Sequence, residues 1–128
     1  MTDRILEGKT VLMTGAGRGM GRMMSIALAS AGAKVAMIDI DEDVLAEAAK
    51  DAENAGGQGS VKPMVCDVTD ADRAKATAEE IVSTFGSLDM LVNDAVVGPE
   101  RISGFFVKPS KFWELGDDLW NAMLRVNI

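Results

Sequence analysis

The sequence predicts an α/β fold, a doubly wound parallel sheet with helices between consecutive strands, and three observations support this prediction. Short apolar, β-prone runs recur along the chain, helical stretches of about 12 to 16 residues separate them, and glycines or acidic turns mark the boundaries. Because the runs are mostly apolar, they are typical of strands that are buried on both faces.

The first predicted unit is a strand, a helix and a strand. Residues 10–14 form the first strand and lead into a cluster of glycines, a helix runs from Arg22 to Ser30, and Gly32 follows where a helix C-terminal glycine belongs. Lys34 to Asp39 forms the second strand, so the unit is βαβ. Three methionines of this segment are interpreted as helix core: Met20, Met23 and Met24.

The same alternation continues to residue 92. The predicted elements are a helix from Asp43 to Asn54, a strand around Val61 to Cys66, a helix from about Asp70 to Phe85 that Thr69 or Asp70 caps, and a strand from Leu88 to Val92. Pro63 lacks the N–H that the interior of a sheet uses, and this places the third strand at a sheet edge.

Residues 93–116 are predicted to be irregular, and a further helix starts at Asp117. The stretch from Gly98 to Gly116 is a possible contributor to a substrate pocket. Four aromatic residues are interpreted as cover for the sheet edge or as a substrate rim: Phe105, Phe106, Phe112 and Trp113. Residues 1–128 are expected to form one partial domain, truncated after the fourth strand and the start of the following helix.

Composition and charge exclude several classes of function. The 20 acidic and 13 basic residues give a net charge of −7, which repels nucleic acid and anionic membranes, so neither is an expected partner. No apolar run approaches the roughly 20 residues that span a bilayer and no signal peptide is visible, so a cytoplasmic location is expected. With no His and one Cys, zinc sites and His-dependent triads are excluded, and no metal site is expected. Cys66 is interpreted as a small buried apolar residue.

A glycine motif follows the first strand. Residues 14–21 read Thr-Gly-Ala-Gly-Arg-Gly-Met-Gly, which satisfies Thr-Gly-x-x-x-Gly-x-Gly between a predicted strand and a predicted helix. Gly15 permits the tight turn, Gly19 lets the backbone approach a pyrophosphate, and Gly21 permits close packing of helix on strand. The N–H groups of the helix N-terminus then bind the anion. The alternative is a merely flexible loop.

Asp39 ends the second strand 18 residues after Gly21, close to the roughly 20 expected for a ribose-binding carboxylate. Such a carboxylate accepts hydrogen bonds from ribose hydroxyls and repels a 2′-phosphate, so NAD is favoured over NADP. Arg18 could pair with a phosphate, and a solvated side chain is the alternative. Asp39 could also be an acid at the start of the next helix, an interpretation that suits Asp41 or Asp43 better.

Together these residues resemble the short-chain dehydrogenase/reductase family over essentially all 128 residues. The resemblance implies a Rossmann-type domain that binds a dinucleotide through the glycine motif, with Arg18 and Met20 among the contacts. It also implies that Asp67 contacts the adenine amino group and that Val68 lies against the adenine ring. A helix cap at Thr69 or Asp70 is the alternative for this segment.

Where the family carries Asn-Asn-Ala-Gly, this chain reads Asn93-Asp94-Ala95-Val96. The resemblance implies that Asn93 and Ala95 line the cofactor ribose. Val96 adds a branched side chain where glycine lets the backbone come close to the nicotinamide. Asp94 introduces a charge near the sheet, which costs free energy unless it is hydrogen-bonded or solvated.

Trp120 and Asn127 are similar to a family segment whose asparagine belongs to the catalytic tetrad. This similarity implies that Asn127 helps to hold a water of the proton relay. As an alternative, Trp120, Leu124 and Ile128 recur at helical spacing and form a packing stripe.

The resemblance implies an oxidoreductase that transfers hydride between a nicotinamide and a small-molecule alcohol or carbonyl substrate. The family's Ser, Tyr and Lys lie beyond the asparagine, and this sequence has no Tyr, so we expect a cofactor-binding half that is not catalytically competent alone. The alternatives are a non-catalytic dinucleotide-binding or interaction module and an inactive truncated remnant. An open edge at Leu88 to Val92 predicts a homo-oligomer or a strand-exchanged assembly.

Overall fold

The computed structural model describes residues 3–98 and 111–128, which group into two compact units, Met1–Asp94 and Ala95–Ile128. The first unit contains a sheet and three helices, and the second contains a short 3-10 helix and an α-helix. Phe105 and Phe106, two of the aromatic residues interpreted as a rim, lie outside the described residues, as does much of the stretch from Gly98 to Gly116.

The sheet of the first unit has four parallel strands in the order β3-β2-β1-β4. Their bounds are β1 (Thr10–Thr14), β2 (Lys34–Asp39), β3 (Val61–Val65) and β4 (Met90–Val92). The predicted parallel α/β sheet is confirmed, and β3 lies at an edge, as Pro63 indicates. β4 is shorter than predicted, because the carboxylate of Asp89 and not a strand carbonyl accepts the N–H of Thr10, at 2.8 Å.

Three helices connect the strands: α1 (Gly19–Ser30), α2 (Glu42–Gly56) and α3 (Ala71–Phe85). Acidic side chains cap two of them. Asp41 accepts the N–H of Val44 at 3.3 Å, and Asp70 accepts the N–H of Arg73 at 2.9 Å. Of the two caps predicted for α3, the structure therefore selects Asp70.

Apolar layers cover both faces of the sheet. Since neighbouring residues of a strand point to opposite faces, Val11 and Met13 pack with residues of α1 and α2, whereas Leu12 packs on the α3 side. Ile81 of α3 and Cys66 belong to this second layer, and both are buried. The interpretation of Cys66 as a small core residue is confirmed, and helices on both faces make the sheet doubly wound.

The outer edge of β3 offers few backbone groups to another strand. The backbones of Ser60 and Cys66 form hydrogen bonds with β2. Along a strand, the N–H and C=O groups of successive residues point alternately to one side and to the other, so the backbone groups of Pro63 and Val65 point away from β2. Pro63 has no N–H to donate. The guanidinium of Arg73 donates to the Val65 carbonyl oxygen, from Nε at 3.3 Å and from Nη2 at 3.2 Å. Side chains therefore block this edge.

The face of α1 that packs on the sheet differs from the predicted one. Met20 and Met23 are 70% and 71% exposed, so their interpretation as helix core is wrong, and Met24 is only partly buried against the α1 and α2 layer. The buried face consists of small residues at four-residue spacing: Gly21, Ser25 and Ala29. Because apolar residues occupy most faces of α1, their pattern does not reveal which face is covered.

The second unit contains a 3-10 helix (Phe112–Glu114) and α4 (Asp117–Asn127), which starts where the sequence predicts. Leu119 is buried in α4. Trp120, Leu124 and Ile128, which the sequence offers as an alternative packing stripe, are 39%, 49% and 97% exposed. They do not form a buried stripe in this structure. Among the helices of the described ranges, none combines the length and the apolar character that crossing a bilayer requires.

Candidate functional site

The carboxyl ends of the parallel strands lie at one edge of the sheet, and β1 leads there into the glycine turn. Gly15 and Gly19 have positive φ angles of 63° and 51°, a backbone region that favours glycine. Ala16 donates its N–H to the carbonyl oxygen of Ile38 in β2 at 3.0 Å. α1 begins at Gly19 and not at the predicted Arg22, so the end of the motif forms the first helical turn.

Gly21 brings α1 close to the end of β1. A Cβ atom at Gly21 would collide with the carbonyl oxygen of Gly15 and would lie 2.9 Å from Oδ2 of Asp94. By contrast, a Cβ atom at Gly19 would meet no described atom within 4 Å. The turn therefore combines tight packing at Gly21 with a backbone at Gly19 that faces open space.

The N-terminus of α1 is suited to an anion. Its first turn contains no acidic residue, and Arg18 at the N-cap position makes no side-chain capping bond. The first N–H groups of a helix have no intrahelical partner and carry partial positive charge. Together with the open backbone at Gly19, they can bind a phosphate group. The exposed side chain of Met20 lies in the same turn.

The structure orients the Asp39 carboxylate through two backbone donors. Gly17 donates its N–H to Oδ2 at 3.0 Å, and Asp41 donates its N–H to Oδ1 at 3.1 Å. A Cβ atom at Gly17 would lie 2.9 Å from the same Oδ2, so the close approach depends on glycine. The sequence analysis assigns no role to Gly17. The signal that could have indicated one is its position two residues after Gly15, within the glycine motif.

Arg18 is ion-paired and is not simply solvated. Its Nη2 lies 2.6 Å from Oδ2 of Asp41, and both side chains are partly exposed. Hydrogen bonds from the Val44 N–H and from Arg18 hold the pKa of Asp41 below its ordinary value. Asp41 thus caps α2, the role predicted for Asp41 or Asp43, and it also holds a cation beside the glycine turn.

Asp67 and Val68 follow the end of β3, next to the end of β2. Cys66 donates its N–H to the carbonyl oxygen of Asp39 at 3.1 Å, which joins the two strand ends. The carboxylate of Asp67 accepts the N–H and the hydroxyl of Thr69 at 2.9 and 2.8 Å. Val68 is partly buried against the α3 layer. The exposed carboxylate and the apolar side chain are therefore adjacent at this edge.

Thr14, at the end of β1, connects to the segment after β4. Its hydroxyl donates to the carbonyl oxygen of Val92 at 3.3 Å and accepts the N–H of Asp94 at 2.9 Å. Asn93 is exposed and Asp94 is partly buried, with the Asp94 carboxylate beside Gly21. Sequence reasoning misses the role of Thr14, because a hydroxyl that joins two strands leaves no local pattern.

Ala95, Val96 and Asn127 belong to the second unit. The Asn127 side chain bonds the backbone of Val97 twice: Oδ1 accepts its N–H at 3.0 Å, and Nδ2 donates to its carbonyl oxygen at 2.9 Å. Val96 is 65% exposed. The predicted catalytic Asn127 is thus fixed against the segment that contains the predicted ribose contact Ala95.

Comparison with known proteins gives a consistent result. The sequence profile of the short chain dehydrogenase family matches residues 9–128. The 3-oxoacyl-(acyl-carrier-protein) reductase of Thermotoga maritima is 34% identical over 123 residues, which cover 96% of this chain and 46% of that protein.

Two solved structures show the same fold. The 3-ketoacyl-(acyl-carrier-protein) reductase from Brucella melitensis, complexed with NADH, has a TM-score of 0.81 and 30% identity over 96% of this chain and 46% of its own. A metagenomic short-chain oxidoreductase in complex with NADP also has a TM-score of 0.81, with 28% identity over 96% of this chain and 51% of its own. The chain thus spans about half the length of these proteins.

Proposed function

Because this chain belongs to the short-chain dehydrogenase family, we propose that it binds a nicotinamide dinucleotide, with NAD preferred over NADP, as part of an oxidoreductase. The substrate class is an alcohol or a carbonyl compound. The Asp39 carboxylate is the observation on which the proposal mainly depends. It lies at the carboxyl end of β2 beside the glycine turn, and the N–H groups of Gly17 and Asp41 fix it there.

The pyrophosphate is proposed to bind where α1 begins. The backbone at Gly19 is open, and no carboxylate lies in the first turn of α1 itself. The helix N-terminus therefore favours a group with two negative charges. Gly15, Arg18, Met20 and Gly21 complete the proposed contacts of the turn.

The preference for NAD follows from charge. Each Asp39 oxygen already accepts one backbone N–H, and an ionised carboxylate has further acceptor capacity for the 2′- and 3′-hydroxyls of the adenosine ribose. A 2′-phosphate in the same place would meet this carboxylate as a like charge. The relatives with bound cofactor include one with NADH and one with NADP, so the distinction depends on this chain's own residues.

The adenine is proposed to lie at the end of β3. Asp67, oriented by the two bonds from Thr69, would accept a hydrogen bond from the adenine amino group, and Val68 would contact the ring. Asn93, exposed after β4, would line the ribose that carries the nicotinamide.

A bound nicotinamide supplies the hydride acceptor or donor of the reaction. These 128 residues contain no tyrosine, so no phenol of this segment can move the accompanying proton. Because the Asn127 amide bonds the Val97 backbone on both sides, we propose that Asn127 positions residues 95–98. A dinucleotide-binding module without turnover is the second candidate for these 128 residues, because none of their side chains is a phenol.

Isothermal titration with NAD and NADP tests the proposal on wild type and Asp39→Asn. Wild type should bind NAD more tightly than NADP, and the variant should bind NAD about tenfold or more weakly, since hydrogen bonds to a charged group contribute about 1.5–3 kcal/mol. Asp43→Asn, an exposed acid of α2, is the matched control. If wild type shows no saturable binding of either dinucleotide, the proposal is wrong.

Both candidates predict no turnover by these 128 residues alone, because they contain no tyrosine, so a turnover assay can exclude the second candidate but cannot establish it. Under the second candidate, NAD binds but no alcohol oxidation is detected by NADH absorbance with the 128-residue chain. Oxidation above the uncatalysed rate would exclude this candidate and would require a proton acceptor other than tyrosine.

We also propose that the β4 edge pairs with another strand in a homo-oligomer or a strand-exchanged assembly. Within the described residues β4 pairs with β1 on one side only, and its Met90 and Leu91 are 43% and 54% exposed. Size-exclusion chromatography with light scattering should show a dimer or larger species, and Leu91→Lys should shift it toward monomer. A stable wild-type monomer would contradict the proposal.

A further inference from the structure

One cation and two carboxylates share the junction between the glycine turn and the end of β2. Arg18 lies between the two turn glycines Gly17 and Gly19, and its Nη2 is 2.6 Å from Oδ2 of Asp41. Asp41 follows Asp39 by two residues and donates its backbone N–H to the Asp39 carboxylate at 3.1 Å. The guanidinium is thus held by the carboxylate two residues beyond the one that is proposed to bind the adenosine ribose.

Arginine is well suited to bind a phosphate, because its planar guanidinium can donate two parallel hydrogen bonds. The other arginine near the turn, Arg22, is engaged by α2: its Nε lies 3.2 Å from Asp51, and its Nη2 lies 3.4 Å from Glu47. Arg22 is therefore paired with two carboxylates of α2, and its side chain is 30% exposed. Arg18 has one carboxylate partner among the described residues and is 51% exposed, so it is the guanidinium of this segment that a nearby phosphate would more readily recruit.

We propose that Asp41 is a specificity-determining residue, which excludes NADP by holding the Arg18 guanidinium and by adding its own negative charge beside the 2′-position. This inference rests on the proposed function, since it places the adenosine ribose at Asp39. A 2′-phosphate would have to break the pair between Arg18 and Asp41 and would then lie near two carboxylates. Asp39 and Asp41 thus both disfavour a 2′-phosphate.

The two oxygens of Asp41 have separate roles, which makes the proposal testable. Oδ1 accepts the Val44 N–H at 3.3 Å and caps α2, whereas Oδ2 binds Arg18. Asparagine is as good an N-cap as aspartate, because its carbonyl oxygen accepts the same bond. Asp41→Asn therefore keeps the cap while it removes the charge and the ion pair.

The experiment is isothermal titration of NAD, NADP and the fragment 2′,5′-ADP against wild type and Asp41→Asn. We expect the variant to bind NADP and 2′,5′-ADP about five- to tenfold more tightly, because one exposed ion pair and one like charge are removed. NAD affinity should stay within about twofold. In the double variant Arg18→Ala/Asp41→Asn, most of this increase in NADP affinity should disappear, because the Arg18 guanidinium that Asp41→Asn releases is then absent.

Asp43→Asn is the matched control, since it removes an exposed charge from the same helix turn and leaves the Arg18 pair intact. It should change NADP affinity by less than about twofold, and its thermal unfolding should resemble that of Asp41→Asn. If wild type binds NAD but Asp41→Asn leaves NADP binding unchanged, the inference is overturned and the proposed function stands. If no variant binds any dinucleotide, both are overturned. A gain that persists without Arg18 would also overturn the role of the pair.

Discussion

The carboxylate of Asp39 accepts the backbone N–H of Gly17 at 3.0 Å, which joins the end of β2 to the glycine turn. In Gly17→Ala, the new Cβ would lie 2.9 Å from Oδ2 of Asp39 and 3.3 Å from Cγ1 of Val44. Asp39 must then move, so we expect NAD affinity to fall about tenfold in isothermal titration, the equivalent of one lost charge-assisted bond.

The matched control for this substitution is Gly116→Ala, where a new Cβ would meet no described atom within 4 Å. It should leave NAD affinity nearly unchanged. Equal NAD affinity in Gly17→Ala and wild type would show that the position of Asp39 does not matter for binding.

Asp94 places a carboxylate beside the first turn of α1, 2.9 Å from where a Gly21 Cβ would lie. A negative charge there opposes the pyrophosphate that the turn is proposed to bind. Asp94→Asn should therefore tighten NAD binding about threefold or more, and the gain should shrink as ionic strength rises. The exposed Asp72→Asn serves as control, and weaker NAD binding by Asp94→Asn would mean that the carboxylate supports the turn.

The hydroxyl of Thr77 is buried in α3 and has no hydrogen-bond partner in the described structure. Burying an unpaired hydroxyl costs about 1–3 kcal/mol, whereas valine has nearly the same shape without it. Thr77→Val should therefore raise the free energy of unfolding by about 1 kcal/mol, measured by urea denaturation. Thr77→Ser, which keeps the hydroxyl and loses the methyl group, should be destabilised, and a destabilised valine variant would show that the hydroxyl has a partner.

The acid stability of the sheet should depend on Asp89. The Thr10 N–H, the Ser87 hydroxyl and the charge of Lys9 lower the pKa of Asp89 below its ordinary value of 3.8. Near that pH the unfolded chain binds a proton more readily than the folded chain, so the contribution is complete above about pH 3.8 and is lost as the pH falls through the lowered pKa.

The prediction is checked by measuring the urea midpoint of unfolding from neutral pH down through the acidic range below about pH 3.8. Asp89→Asn should be less stable than wild type at neutral pH, and the difference should shrink at acidic pH. Asp72→Asn provides the baseline for loss of an exposed charge. A difference between wild type and Asp89→Asn that does not change with pH would contradict the assignment.

Much of the fold was predictable, because it depends on local signals. Apolar runs, the cap at Asp70 and the missing N–H of Pro63 each act within a few residues of their position in the chain. The ion pair between Arg18 and Asp41 joins residues 23 positions apart. It could not be predicted from the sequence, because it depends on where α2 begins in space beside the glycine turn. The exposure of Met23 could not be predicted either, because it depends on which face of the apolar helix α1 packs on the sheet.

The two edges of the sheet differ in what their described residues offer another strand. At β3, the missing donor of Pro63 and the Arg73 bonds to the Val65 carbonyl leave little for an incoming strand, whereas within the described residues β4 pairs with a strand on one side only. If copies pair through β4 as proposed, each copy would turn its blocked β3 edge outward and leave no edge for a further copy. Under the proposed pairing, β4 bound to the β4 of a second copy would stop at two copies, and a larger species would indicate strand exchange.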